Sequence, residues 1–504
     1  MTFKNMAYPV IILGFFTGSL ILSSCEKKDE DEPQVEPPIV TAEAGSDIQT
    51  EINQQVSLDG SGSSTSVGSL TYFWELISSP DQSTAAITDA TSAVASFTPD
   101  VDGEYNIRLN VLSDTVSRSD NITVTAIASG PIVLSCSDIN EEMTLENKFD
   151  GVDYYVPCMI QVNAGLIIEP GVTIEFAQEA GFEIQDYDDW EGYISAVGTA
   201  QDSIRFTGEI KSEGAWNQIL MNSSDLRNTM KYCIVEYAGN SDGSEAAIHL
   251  DDAKLELQNS LIQGNSSYGM FVDNRSNISG FANNTFTENM SYPLHIAANK
   301  VAQLDGQGSS YTGNTSGVEE YWDEIYVFSN SIYERGYITG QETHVWNDPG
   351  VPFFVNELIY VGETDEGSLR IMPGCEVSFG QNFGFWVDEY NASLQITGTA
   401  DNKVILRGRY GQGSWNGIYL NTNNVENSIE HAVITDGGQE IVGHWFDNPA
   451  NVNLGYSGGN IRLSLNNVAL NNSGGCAIAE GGGDINLSLN NVTYSGNAGN
   501  DYCN

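Results

Sequence analysis

The chain has 504 residues, with 19 Lys plus Arg against 68 Asp plus Glu, a formal net charge of −49. That length exceeds a single compact core, so two or more domains or an elongated repeat are expected. The charge repels nucleic-acid phosphates and anionic membrane surfaces, which sets nucleic acid aside as a partner and leaves a solvated exterior that could attract divalent cations. Fifty-one glycines, frequent Asn and short β-branched or aromatic runs, with no amphipathic helical pattern, point to an all-β protein.

The first residues read as a processing segment. "MTFKN" carries one Lys, the apolar stretch "VIILGFFTGSLIL" is short for a membrane span, and "LSSC" ends at Cys25. This resembles the bacterial lipobox, which implies a signal peptide over 1–24 and lipidation of Cys25. Residues 25–38, charged and then Pro-rich, read as an extended tether. The acidic cluster directly behind Cys25 resembles the surface-export signal of Bacteroidetes lipoproteins. That resemblance implies a lipid-anchored protein of the outer membrane, exposed at the cell surface.

Residues 39–127 alternate with period two between Gly/Asp/Ser turns. Val56 and Leu58 share one side of a strand, as do Leu70, Tyr72, Trp74 and Leu76, and then Tyr105, Ile107, Leu109 and Val111. This is the pattern of a β-sandwich. The stretches "SLDGSGS", "YFWEL" and "TPDVDGEYNIRLNV" together resemble the PKD domain, an immunoglobulin-like module, which implies a spacer or interaction role. Asp59, Asp100 and Asp102 could be read as a Ca²⁺ site, but Asp-Gly is also what tight turns require.

Six cysteines follow Cys25, and an exported protein can oxidise them. Cys136 with Cys158, and Cys476 with Cys503, are the candidate disulfides. Cys233 and Cys375 alternate with apolar residues and read as buried thiols. No CxxC or Cys/His cluster suggests zinc.

From 130 to 504 the sequence repeats at two scales. "LSLNNV" stands at 463–468 and again at 487–492, and "LELQNSLI" at 255–262 is an echo. A 24-residue period, with apolar residues two apart and an Asn pair at the turn, predicts one coil of a right-handed parallel β-helix, with on the order of fifteen coils in all. The coarser repeat spans about 200 residues, giving blocks of about 143–340 and 342–504. "EPGVTIEF" (169–176) matches "MPGCEVSF" (372–379), "GAWNQILMN" (214–222) matches "GSWNGIYLN" (413–421), and "GVDYYV" (151–156) matches "GVPFFV" (350–355). The PG turns, "GTA" and Trp-Asn before an apolar strand resemble the β-helix repeats of Bacteroidetes surface proteins, within the broader pectin-lyase-like fold. Residues 301–341 fit the duplication least and are expected to join the blocks. Residues 136–158 are expected to cap the first coil.

Enzymes of the fold that resemblance implies need a base beside acidic Ca²⁺ ligands, or two carboxylates across a glycosidic bond. The densest acidic stretch is "QDYDDWEGY", with Asp186, Asp188 and Asp189 as candidate calcium ligands and Trp190 and Tyr193 as rings that could grip a sugar. Its duplicate, "VDEYNA", is three residues shorter. A solvated acidic loop is the plainer alternative. Trp216 and Trp415 share the duplicated G-x-W-N-x-I position; exposed, they would stack on sugar rings, yet recurrence at equivalent sites is also what a structural ring predicts. Trp386 completes the candidate sugar-binding rings. The five His residues show no catalytic spacing. The expectation is therefore a surface lipoprotein whose β-helix binds polysaccharide or another surface macromolecule without catalysis. A polysaccharide lyase or glycoside hydrolase and a structural adhesin are the alternatives, and calcium is the one possible cofactor.

Overall fold

The computed structural model describes residues 38–127, 130–149, 151–187, 190–239, 246–315, 323–329, 337–362, 366–388, 391–439, 449–455 and 460–503. Cys25, Asp188 and Asp189 lie outside them. The chain divides between residues 129 and 130 into two compact units. Among the described residues the elements are strands, apart from two short 3-10 turns at Val301–Gln303 and Gly306–Gly308.

In the N-terminal unit a four-stranded sheet runs Ile48–Glu51, Val116–Ile127, Gly103–Ser113, Thr71–Ser78. A three-stranded sheet runs Val56–Asp59, Val94–Phe97, Ile87–Thr88. Their facing sides share one core. Trp74, Tyr105, Ile107, Leu109 and Val111 come from the first sheet, and Leu58, Ala95 and Phe97 from the second. The period-two pattern decides this, because alternate residues of a strand face opposite ways. Fully burying one such side chain contributes about 1.5–3 kcal/mol.

The C-terminal unit is built from parallel sheets, and the chain visits three of them in rotation. In block one, sheet A holds Tyr154–Val156, Thr173–Phe176, Ile204–Gly208, Cys233–Glu236, Leu261–Gln263 and Thr285–Thr287. Sheet B holds Met159–Val162, Gly181–Gln185, Ile219–Asn222, Ala246–Leu250, Tyr268–Val272 and Leu294–Ala297. Sheet C holds Gly165–Ile168, Tyr193–Val197, Thr229–Lys231 and Glu256–Gln258. These parallel sheets are consistent with a β-helix. One contiguous apolar core runs from Leu134 to Ile478. At the start of this core, Ile132–Val133, and Ile139 and Met143–Leu145 of the segment expected to cap it, pair in parallel with the strands that follow. Their apolar alternation is enough to form a circuit of their own.

The repeated Asn pair has a backbone reason. The tightest corners between sheets C and A of block one each take one residue in the left-handed conformation, Tyr232, Asn259 and Asn283, and His431, Asn467 and Asn491 do the same in block two, with φ between 46 and 56°. Asn visits that region at the least cost after Gly. Deeper in the unit, the amides of Asn265, Asn289 and Asn314 bond one to the next at 2.8 and 2.9 Å. The PG turns place Gly171 and Gly374 at φ 84 and 92°, where a Cβ would be strained.

The duplication is visible in the packing. Trp216 stacks on Phe176 at 4.3 Å and 11°, and Trp415 stacks on Phe379 at 4.3 Å and 4°. The joint between the blocks does not preserve the sheets. Ile325–Phe328 extends sheet B of block one, yet its other neighbour is Phe353–Val355. By sequence, Phe353–Val355 is the counterpart of Tyr154–Val156 in sheet A; the counterpart of Met159–Val162 is Leu358–Gly362, which heads a separate sheet. Arg409 and Glu324 pin this joint, 2.7 Å apart and 13 and 7 % exposed, with the guanidinium 4.0 Å over the Phe354 ring.

Candidate functional site

The outward side of sheet B in block one brings two rows together. One row is Glu183, Leu220, His249, Phe271 and His295, in register from strand to strand. Beside it runs a polar row starting at Gln185 and Asn222. Asp251 and Asp273 follow at the ends of the next two strands. Over the start of these rows stands the loop after Gln185. Tyr187 and Trp190 are 52 and 43 % exposed, and the Trp190 amide closes a turn onto the Tyr187 carbonyl at 3.0 Å. Among the described residues neither ring stacks on another. Burial, and beyond it the carboxylates of Asp251, Glu183, Asp186 and Asp252, push the Tyr187 hydroxyl above its ordinary pKa, which places an acidic surround about that ring.

The acids are largely spoken for. Asp186 accepts bonds from the Ser224 amide and hydroxyl at 2.7 and 2.9 Å. Arg275 reaches Asp251, Asp252 and Asp273 at 2.7, 3.4 and 3.3 Å. Among the described residues no group of three or more His, Cys, Asp or Glu is placed to hold a metal ion. Asp188 and Asp189, the other two residues of the calcium reading, lie outside the described residues.

Of the rings expected to meet a sugar, Trp190 stands at the surface, Trp216, Trp415 and Tyr193 are buried, and Trp386 is half-buried. Trp216 and Trp415 are fully buried, and their indole N–H groups donate to the carbonyls of Glu236 and Thr435 at 2.7 and 2.8 Å. Their recurrence marks core packing, not a binding row. Tyr193 is 7 % exposed. Its hydroxyl donates to Glu142 at 2.8 Å and its ring lies under the Arg227 guanidinium at 3.9 Å. Burial and the Glu142 bond both push that hydroxyl's pKa up. Trp386 sits in an outward ladder, Tyr360–Trp386–Tyr419, with one indole face covered by Tyr419 at 4.0 Å. Sequence reasoning missed Tyr187. It lies in the same acidic stretch, and the three-residue extension of that loop relative to its copy was the available signal.

The cysteines pair as Cys136–Cys158 and Cys476–Cys503, while Cys233 and Cys375 are free and buried. Burial pushes the Cys375 thiol up to about 12, too high for a nucleophile at neutral pH.

In the N-terminal unit, Asp100 accepts from the Ser83 hydroxyl at 2.5 Å, from the Thr84 amide and hydroxyl at 2.7 and 2.8 Å, and from the Tyr105 hydroxyl at 3.2 Å. Asp59 accepts from the Ser61 amide at 2.9 Å. Both are turn carboxylates. A family model described as a PKD domain matches residues 44–126. Residues 44–126 are a PKD domain. The solution structure of the PKD domain from KIAA 1837 protein is similar to the chain at 31% identity, covering 90% of that chain and 18% of this one, with a TM-score of 0.16. No curated protein matches the chain. Within the PKD domain the side-chain bonds to Asp100, the Ser83 hydroxyl first among them, hold its carboxyl well below the usual carboxylate range.

Proposed function

We propose that this protein is a cell-surface lipoprotein, anchored in the outer membrane through Cys25. In this reading the C-terminal unit is a right-handed parallel β-helix of the pectin-lyase-like kind that binds polysaccharide without cleaving it. The exposed pair Tyr187 and Trp190 carries the reading. An uncovered aromatic face next to carboxylates and amides is the chemistry that takes a sugar's C–H face and its hydroxyls together. The lipobox-like "LSSC" and the acidic tether support the anchor.

A glycan-array screen of the full chain tests it, with the same wells scored for released sugar ends. The expected result is binding without release, lost in Trp190→Ala. Release of unsaturated or reducing ends would make the protein an enzyme and overturn the non-catalytic reading. For the anchor, Cys25→Ala is expected to move the protein from the membrane fraction to the soluble one.

A further inference from the structure

The far end of the C-terminal unit carries a groove separate from the Tyr187–Trp190 surface. It encloses about 620 Å³ and is lined by Asn423, Val425, Asn460, Arg462, Asp484 and Asn486, among others. Two stacked strands form its wall, with Asn460 opposite Asp484 and Arg462 opposite Asn486. These are the strands of the repeat. Residues 461–468 read IRLSLNNV and residues 485–492 read INLSLNNV. Ile461, Leu463 and Leu465 fill the core and Asn467 turns the corner, so those positions are held. The copies part at Arg462/Asn486, and one step outside the repeat at Asn460/Asp484. All four of these side chains line the groove.

Arg462 is unusual among the arginines of this unit. Arg205, Arg227, Arg275, Arg407 and Arg409 are each ion-paired, and Arg370 bonds to Gln395. Among the described residues, the guanidinium of Arg462 has no such partner. Its surroundings in sequence are also sparing in acids. Residues 449–503 hold three carboxylates, Glu480, Asp484 and Asp501, so most of the −49 lies elsewhere. At physiological salt, charges more than about 8 Å away are largely screened, so the two charged groups of the lining, Arg462 and Asp484, set the local field, and Arg462 is the one that attracts an anion.

We infer that this groove binds the carboxylate-bearing sugar of an acidic polysaccharide; the inference rests on the polysaccharide reading above. The planar guanidinium of Arg462 takes the carboxylate through two parallel N–H bonds. The carboxamides of Asn423, Asn460 and Asn486 meet hydroxyls as donors or acceptors, and Asp484 accepts from them. Val425, 71 % exposed, offers the apolar edge.

The experiment is calorimetric titration of the full chain with a hexuronate oligosaccharide and with the same oligosaccharide reduced at its carboxylates to the neutral alcohol. The acidic form is expected to bind about tenfold more tightly. Arg462→Gln should erase that preference by bringing the acidic form's affinity down to the level of the neutral sugar. Raising salt from roughly 0.05 to 0.5 M should weaken only the acidic form. Equal affinities for the two sugars, a preference that survives Arg462→Gln, or displacement by sulfate as readily as by the neutral sugar would each overturn the inference. Binding that shows no acid preference but is lost in Trp190→Ala would overturn the groove and leave the polysaccharide reading standing. No binding of either sugar would overturn both.

Discussion

Blocks one and two of the C-terminal unit share their inward residues and differ outward. Phe176 and Trp216 are matched by Phe379 and Trp415, with the same stacking distance. On the outer side of the corresponding strands, Glu183, Leu220 and His249 stand where block two has Trp386, Tyr419 and Asn453. Only block one has the longer loop bearing Tyr187 and Trp190. The interior is close-packed, so each of its residues answers to its neighbours in the circuits on either side. The exterior answers to solvent and ligand, and it is free to diverge. A duplicated fold can therefore carry two unlike surfaces on one scaffold.

The sharpest way to break this comparison is to truncate the matched tryptophans. Trp216→Ala and Trp415→Ala should each cost about 3–5 kcal/mol, and similar losses in denaturant melts would show that the interiors are equivalent. A large difference between the two would mean that the blocks pack differently despite their shared geometry.

The joint comes next. Arg409→Met strands the buried Glu324 carboxylate and should cost about 3 kcal/mol near neutral pH. Burial already raises the Glu324 carboxyl above its ordinary value, with Arg409 opposing. A raised carboxyl means that the folded state holds its proton more tightly, so stability falls as pH rises from the unfolded value, about 4.3, through the folded one. Without Arg409 that fall grows. The variant should melt closer to wild type at roughly pH 4 than at roughly pH 8.

A smaller effect separates the outer surfaces. Trp190→Ala should weaken glycan binding by about tenfold, or ~1.4 kcal/mol, without shifting the melt. Trp386→Ala should do the reverse, removing a stacked pair and costing about 1 kcal/mol of stability with binding intact. Binding that followed Trp386 would move the site to block two.

The smallest effect belongs to the PKD domain. Asp100 is held low, so its contribution is fully present above the unfolded value near 3.9 and is lost as pH falls toward the folded one. Wild type and Asp100→Asn should therefore differ in the melting of this domain at neutral pH and converge in acid. A constant gap across pH would assign the effect to packing.

Much of this architecture was legible in the residues. Period-two alternation located the sandwich strands, and the 24-residue spacing marked the stacking, because both follow from backbone geometry that a single chain must obey. The disulfide partners lie at separations of 22 and 27 residues, close to one circuit, which puts each pair on neighbouring coils. The site was harder to read. Trp190, Trp216 and Trp415 are all tryptophans in polar contexts, and which way each ring turns depends on the strand's parity and on Phe176 or Phe379 waiting inside. Tyr193 looked like a surface ring because Glu142 and Arg227, which cover it, are distant in sequence. That the segment 136–158 would pair in parallel through Ile139 and Met143–Leu145 was not legible, because neither stretch is long enough to show a period.

The joint at Ile325–Phe328 has a geometric consequence. Because sheet B of block one runs on into the Phe353–Val355 stack, the Tyr360–Trp386–Tyr419 ladder of block two lies in a separate sheet from its sequence counterpart. Equivalent strands of the two copies therefore belong to different stacks. A straight polymer lying along one side would pass equivalent strands only once. To meet equivalent strands of both copies, a ligand would have to cross from one stack of strands to the next.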